Sequence, residues 1–317
     1  MATRVTSMTE SGLLAAVTVI MALIGVYVPL LGTVAVLLWP LPILVLIVRH
    51  GMKWGLMAVF VSGVLTAALV EPMVSLRLAL AFAPGGIALG LGFRRDWSSV
   101  RTLVTGIVCS MAAKLTALAL LFALTGVEPF SMQFEMMEQS FDGTVEMYRS
   151  FGMSEAQIEE SRTIFTENLA MVRLLLPLMV VIMGLMDTML NYFVGGTVLR
   201  RLGHDVKTLP PFAEWRLPPV FVYVFGFSLV GAYWGSTRNI ALLYQASLNL
   251  SMLATFAGMI EGMSVYTYAS RHFHWPKLIS MFILGFVMLN GFLLRLLCLV
   301  GLFDMIFDYR KRYWAEK

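Results

Sequence analysis

The sequence predicts an all-α, polytopic transmembrane helical bundle of about 9–10 spans with both termini cytoplasmic. Three observations carry this. Fifty-nine percent of the 317 residues are hydrophobic and 13% are charged, with a mean hydropathy of +0.81, far from the balance of soluble globular chains. Apolar runs of about 18 residues or more recur along the whole length, and about 20 helical residues cross a bilayer core. The basic residues fall in alternate loops, the mark of a chain threaded in one orientation.

The first apolar stretch, residues 11–28, ends at Pro29. It has no small-residue cleavage site and a second run follows at once, so it is expected to remain as a span. The second, 31–48, contains "WPLP" at 39–42 and should be kinked or partly unwound. Residues 54–70, 73–93 and 101–124 give the third, fourth and fifth spans. A polar insert precedes the sixth, 171–199, and the seventh and eighth follow at 220–234 and 239–269. Residues 277–308 are too long for one span, and "LNGF" at 289–292 offers a break into two short ones. These divisions give a five-span membrane half (1–126), an acidic amphipathic extracytoplasmic insert (127–170) and a second membrane half with basic cytoplasmic loops (171–317), all within one continuous membrane domain.

With the N-terminus inside, the inner loops carry Arg49 and Lys53; Arg94, Arg95 and Arg101; Arg200, Arg201, Lys207 and Arg216; Arg271 and Lys277; and Arg310, Lys311, Arg312 and Lys317. The outer insert carries Glu128, Glu135, Glu138, Asp142, Glu146, Glu155, Glu159, Glu160 and Glu167 against Arg149 and Arg162. The net charge of +4 therefore faces anionic lipid headgroups on the cytoplasmic side. No basic run is interleaved with aromatics on a soluble fold, so nucleic acid is not an expected partner. Within the insert, "SEAQ" at 154–157 fits a capping box, opening a helix that runs on into the sixth span with Pro177 bending it. Upstream, "FSMQFEMMEQSFDGTVEMYRSFG" mixes Phe and Met with acids, as an amphipathic helix would. It is either a lid or partner-docking cap, or a connector covering the ends of spans five and six.

The sixth span holds the polar residues that matter most. At about 100° per residue Gly184, Asp187, Asn191 and Gly195 share one narrow stripe, which marks a close-packed helix face and not a lipid-facing one. Asp187 therefore points into the bundle, where a carboxylate needs a partner or water. Lys114 lies near the middle of span five, too deep to reach either headgroup layer easily. Glu261 lies on a small, polar stripe of span eight with Ser247, Ala254, Ala257, Gly258, Ser264 and Tyr268. The expectation is a buried cluster in which Lys114 pairs one acid and the other is left to titrate. Gln245 and Asn249, one turn apart, form a second polar face on span eight. Pro84, Gly85 and Gly86 in "APGGIALGLG" provide a structural helix break and, with Gly90, a GxxxG contact. Lys114, Asp187, Asn191, Gln245, Asn249 and Glu261 are thus the candidate ligand- or ion-binding residues. The alternative is interhelical glue, and the sequence leaves both open.

Catalytic motifs are absent: no HExxH, Walker A loop, GxSxG or CxxC. His272 and His274 in "RHFHW" read as interfacial residues beside Trp275, and Cys109 and Cys298 as small apolar fillers. No metal, cofactor or catalytic residue is expected.

"VLRRLGHDVKTLPPFAEWRLPP" (198–219) and "GLFDMIFDYRKR" (301–312) resemble the YybS-like family of uncharacterised bacterial membrane proteins over essentially the whole chain. The resemblance implies a multi-pass protein of the bacterial cytoplasmic membrane and carries no catalytic residue over. Residues 11–200, with "PGG…GLGFRR", are similar to the S components of energy-coupling-factor transporters, which implies a six-helix, solute-binding bundle. The chain departs from that pattern by about four further spans and the outer insert. Its first span offers only Ala15, Ala16 and Ala22 where a small-residue docking face would lie. Two functions follow: a small-solute-binding or transport protein, or a membrane scaffold that recruits a protein partner through its basic cytoplasmic loops, above all 199–219.

Overall fold

Thirteen α-helices and one 3-10 turn account for the regular structure, and no strand occurs among the described residues. The computed structural model describes residues 2–126 and 130–313, without the side chains of residues 2–6, 132 and 313. Glu128 and Lys317, counted above among the loop charges, lie outside the described residues.

The helices group into two compact units. Unit 1 comprises Met1–Phe165 and Met179–Thr208. It holds α1 (Ala2–Tyr27), α2 (Leu31–Leu37), α3 (Leu41–His50), α4 (Met52–Leu69), α5 (Pro72–Arg94), α6 (Ser99–Thr125), α7 (Ser131–Ser150) and most of α8 (Glu155–Arg201). Unit 2 comprises Thr166–Leu178 and Leu209–Lys317. It holds α9 (Val220–Thr237), α10 (Ala241–His272), α11 (Lys277–Leu289), α12 (Gly291–Phe307) and α13 (Tyr309–Tyr313). The division falls inside α8 and in the loop after it.

In unit 1 the second span is broken where the sequence requires it. Pro40 and Pro42 supply no N–H, so Trp39 N–H turns to Val36 O (3.2 Å) and Leu41 N–H to Leu38 O (2.9 Å). α3 then becomes the centre of the unit, with Ile43, Leu44, Leu46 and Ile47 all at 0% exposure. The glycines of α5 allow that burial, because a Cβ on Gly86 would meet Pro40 at 2.7 Å and one on Gly90 would meet Ile47 at 2.9 Å. A glutamate clamp ties α1 to the end of α3: Glu10 accepts from Arg49 (2.9 Å) and pairs with His50 (2.5 Å), while Ser7 Oγ lies 2.9 Å from His50 Nδ1.

α8 opens on the expected capping box, Ser154 with Gln157, and runs for 47 residues, about 70 Å at 1.5 Å per residue. That is more than twice a bilayer core, so much of it stands outside. Pro177 interrupts the donor ladder. One turn is bridged by Asn249: its side-chain oxygen accepts from Leu178 N–H (2.9 Å) and its amide donates to Leu174 O (2.7 Å).

In unit 2, α9 and α10 form a hairpin and α12 packs on α10 with backbones in near contact. A Cβ on Gly258 would meet Cys298 O and the Leu302 side chain at 2.8 Å, and one on Gly301 would run into the backbone of Gly258 and Gly262. The tail divides at the expected break in 289–292. α11 and α12 meet at 106° at Asn290, whose side chain caps α12 by accepting from Phe292 and Leu293 N–H (3.1 Å each). Helices of 13 and 17 residues reach about 20 and 26 Å, so α11 falls short of a core of about 30 Å, whereas α12 is within one residue of the 18-residue α4 and α9. Among the described residues eight helices are long and apolar enough to cross a membrane, or nine spans if the bent pair counts as one.

Replacing Gly301 by Val is expected to destabilise unit 2 by about 1–3 kcal/mol through overpacking, seen as a lowered thermal unfolding midpoint in micelles. Gly226→Ala, where a Cβ meets nothing within 4 Å, should leave that midpoint almost unmoved.

Candidate functional site

Lys114 lies 13 residues from Arg101 and 11 from Thr125 on α6, about 20 and 16 Å of helix. An ammonium at that depth must find its acceptors inside the protein. Its three hydrogens have three: Asp187 Oδ2 at 2.5 Å, Ser110 Oγ at 2.8 Å and Ala81 O at 3.3 Å. The Phe82 ring lies beneath the charge, 4.5 Å from Nζ to its centroid, a cation–π contact. Lys114 is 6% exposed and Asp187 2%.

The carboxylate is held equally well. Ser110 Oγ lies 3.1 and 3.2 Å from the two Asp187 oxygens, and Thr188 Oγ1 lies 3.3 Å from Oδ1. Ser110 has one proton to give and at the same time accepts from Lys114, so the three side chains form a closed chain of charge-assisted bonds. Small residues make the approach possible. A Cβ on Gly184 would meet Met111 at 2.8 Å, one on Gly106 would meet Thr188 at 2.8 Å, and one on Gly85 would press on Ser110 at 3.2 Å.

Asn191 extends the network toward the broken span. Its amide donates to Leu37 O and to Asp187 O, both at 2.7 Å. Leu37 O is the carbonyl that the Trp39–Pro42 break frees from the helix ladder. Two buried polar atoms beside this break have no hydrogen-bond partner, Asn191 Oδ1 and Trp39 Nε1, although each side chain is only 1% exposed. Pro84, Gly85 and Gly86, expected to break their helix, lie inside the continuous α5, and they converge with broken α2–α3, Lys114 and Asp187 within unit 1. The arrangement places a buried ion pair together with one free acceptor and one free donor.

The remaining candidates go elsewhere. Gln245 and Asn249 both address Leu174 O, at 3.4 and 2.7 Å, and brace α8 at Pro177. Glu261 is not the second acid of the Lys114 cluster, nor is it left unpaired. It belongs to unit 2, where it pairs with Arg310, and Arg310 also holds Asp304 at 2.8 Å. Arg310 further donates to Ala213 O (2.9 Å), Trp215 O (2.7 Å) and Ser264 Oγ (2.9 Å), and Glu261 accepts from Leu217 N–H (2.8 Å). The correction has a simple cause: Arg310 sits in a basic tail that reads as surface charge, yet it is 2% exposed. Sequence reading also missed Ser110, Thr188, Trp39 and Asp304. Ser110 alone carried a signal, four residues before Lys114 on the same helix face. No group of three His, Cys, Asp or Glu suited to a metal occurs among the described residues.

The family model described as a predicted membrane protein (DUF2232) matches residues 16–305. A relative from Bacillus subtilis (strain 168), the uncharacterized protein YybS, is 26% identical over 305 residues, covering 96% of this chain and 97% of its own. No solved structure matches the chain.

Lys114→Met leaves a buried carboxylate without its counter-charge and should cost about 3–5 kcal/mol of stability. Lys114→Met combined with Asp187→Leu removes both charges and should recover most of that loss. A double-mutant cycle in detergent unfolding measures both, and simple additivity of the two single changes would show that the groups do not interact.

Proposed function

The chain belongs to the DUF2232 family of predicted membrane proteins, and within it we propose a small-solute-binding or transport protein whose site is the Lys114–Asp187 pair of unit 1. One observation carries this reading: a mid-span ion pair lies beside an interrupted helix and two buried polar atoms that nothing in the protein satisfies. Unsatisfied buried groups cost about 1–3 kcal/mol each, and a chain built only for packing gains nothing from keeping Asn191 Oδ1 and Trp39 Nε1 in that state. A solute with its own donor and acceptor removes both penalties, and a charged group on it can exchange with either member of the pair. Interrupted helices serve this purpose at transporter sites, where they leave backbone groups to line the binding position.

Unit 1 also brings together six apolar spans: α1, α2–α3, α4, α5, α6 and the final part of α8. Six is the helix number that the resemblance to S components implies. Orientation follows the charges, with the N-terminus cytoplasmic. At that end of unit 1 Arg94 donates to Ile47 O and Val48 O (3.0 and 3.1 Å) and Lys207 pairs with Asp96 (2.9 Å), supporting one basic face toward anionic headgroups on the cytoplasmic side of the membrane. The second reading, a scaffold that recruits a protein partner through 199–219, is favoured by the ordering of that loop. Ser264, Glu261 and Arg310 fasten it, and Arg216 pairs with Asp308.

The two readings separate by native mass spectrometry of the full chain in nanodiscs, incubated with the filtered small-molecule fraction of a bacterial extract. Solute binding predicts an adduct on the unaltered protein that Asp187→Asn and Trp39→Phe abolish and Arg216→Ala retains. Absence of any adduct, with a co-purifying protein lost on Arg216→Ala, would overturn it in favour of the scaffold.

A further inference from the structure

Unit 1 carries a second built surface that the ion-pair site does not use. α7 and the first turns of α8 pack as an antiparallel hairpin. Phe134, Val145 and Ile158 are buried in it, Phe141 and Phe165 stack with ring centroids 4.1 Å apart, and Asp142–Arg162 and Arg149–Glu155 pair at 2.9 Å. Phe165 is 22 residues along α8 from Asp187, about 33 Å of helix. The half-thickness of a bilayer core is only about 15 Å, and Phe165 precedes the sixth apolar stretch (171–199) by six residues, so the stacked pair lies outside the hydrocarbon core.

Beside that stack lies an open, mostly apolar groove of about 380 Å³, with Met136, Met137, Phe141 and Phe165 in its walls. The two methionines are 56% and 38% exposed. The hydroxyls of Ser140 and Thr144, also in the wall, are turned back onto Met136 O (2.7 Å) and Ser140 O (2.9 Å) and do not make the groove polar. The surface around it is anionic. Residues 131–165 carry Glu135, Glu138, Asp142, Glu146, Glu155, Glu159 and Glu160, all exposed, against Arg149 and Arg162, both already engaged by acids of the hairpin.

An apolar groove in water needs a covering partner. Methionine walls adapt to the anchors of an amphipathic helix, and the surplus of acids selects lysine and arginine on its polar face while repelling acidic partners. A lipid surface offers no lysine or arginine to these acids, and its headgroup phosphates repel them. A second copy of the hairpin brings the same negative charge. We propose that the hairpin is a docking surface for a cationic amphipathic helix of a partner polypeptide, its apolar anchors seated against Met136, Met137 and the Phe141–Phe165 stack.

The test uses the full chain in phosphatidylcholine nanodiscs and a fluorescent Leu/Lys amphipathic helix about five turns long, with a Leu/Glu helix of the same pattern as control. Anisotropy should report saturable binding of the Leu/Lys helix above that of empty discs, weakened by salt, and none of the Leu/Glu helix. Met136→Gln with Met137→Gln should weaken binding about tenfold by removing two anchor contacts. Glu135→Gln with Glu146→Gln should weaken it about threefold and flatten the salt dependence. All four side chains are exposed, so circular dichroism should be unchanged. Binding no greater than to empty discs, binding indifferent to both variants, or equal binding of the Leu/Glu helix would each overturn the proposal. A spin label at position 136 relaxed by lipid-phase oxygen and not by an aqueous reagent would do so too, by placing the groove in the membrane.

Discussion

Neither Lys114 nor Asp187 is tenable alone at the centre of a span. A single buried charge in a medium of low polarity is heavily penalised, and the penalty is offset only when the opposite charge sits at contact distance and every remaining hydrogen finds an acceptor. This constraint orders much of unit 1. α6 and α8 must approach closely enough for a 2.5 Å contact, which requires glycine at 106 and 184. α5 must present Ala81 O to the ammonium, and Ser110 must fit against Gly85. Each of these follows from the demand that no donor or charge at mid-membrane be left unmatched.

The same demand accounts for the amides. Prolines interrupt the backbone ladder at Trp39–Pro42, at Pro84 and at Pro177, and at the first and last of these an asparagine from another segment of its unit reaches a carbonyl beside the break. Asn191 takes Leu37 O, and Asn249 takes Leu174 O while accepting from Leu178 N–H. An asparagine side chain carries the same donor and acceptor as a peptide group, so it stands in for a missing ladder contact without introducing charge. The matching fails at Asn191 Oδ1 and Trp39 Nε1, and also at Ser11 Oγ, Thr66 Oγ1 and Arg310 Nε; the first two flank the broken span next to the ion pair, and that position is what supports a binding role.

Much of the fold was legible in the sequence. Apolar runs, "WPLP", the "SEAQ" cap and the break at "LNGF" each state a local rule with one physical outcome, and α1 to α10 follow them closely. The inward stripe of Asp187 and Asn191 was legible because helix geometry fixes which residues share a face. Their partners were less so, since pairing depends on which helices lie side by side. Lys114 was found because a lysine so deep in a span has few alternatives. Arg310 was not found, because a basic cluster after the last span ordinarily marks water, and only the return of the chain buries one of its members. The bent tail was ambiguous for a related reason: hydropathy records that residues 277–307 prefer lipid, not whether they pass through it.

The clasp around Arg310 resolves that ambiguity by parity. Ala213 and Trp215 precede α9, and the guanidinium that holds them follows α12. Between the two, α9 and α10 make one outward and one return passage. A segment fastened back to its starting loop must have made an even number of passages, so α11 and α12 together contribute no net crossing. The elbow at Asn290 is therefore not the kink of a single crossing: whatever depth α11 reaches, α12 undoes it, and the chain ends on the side where α9 began.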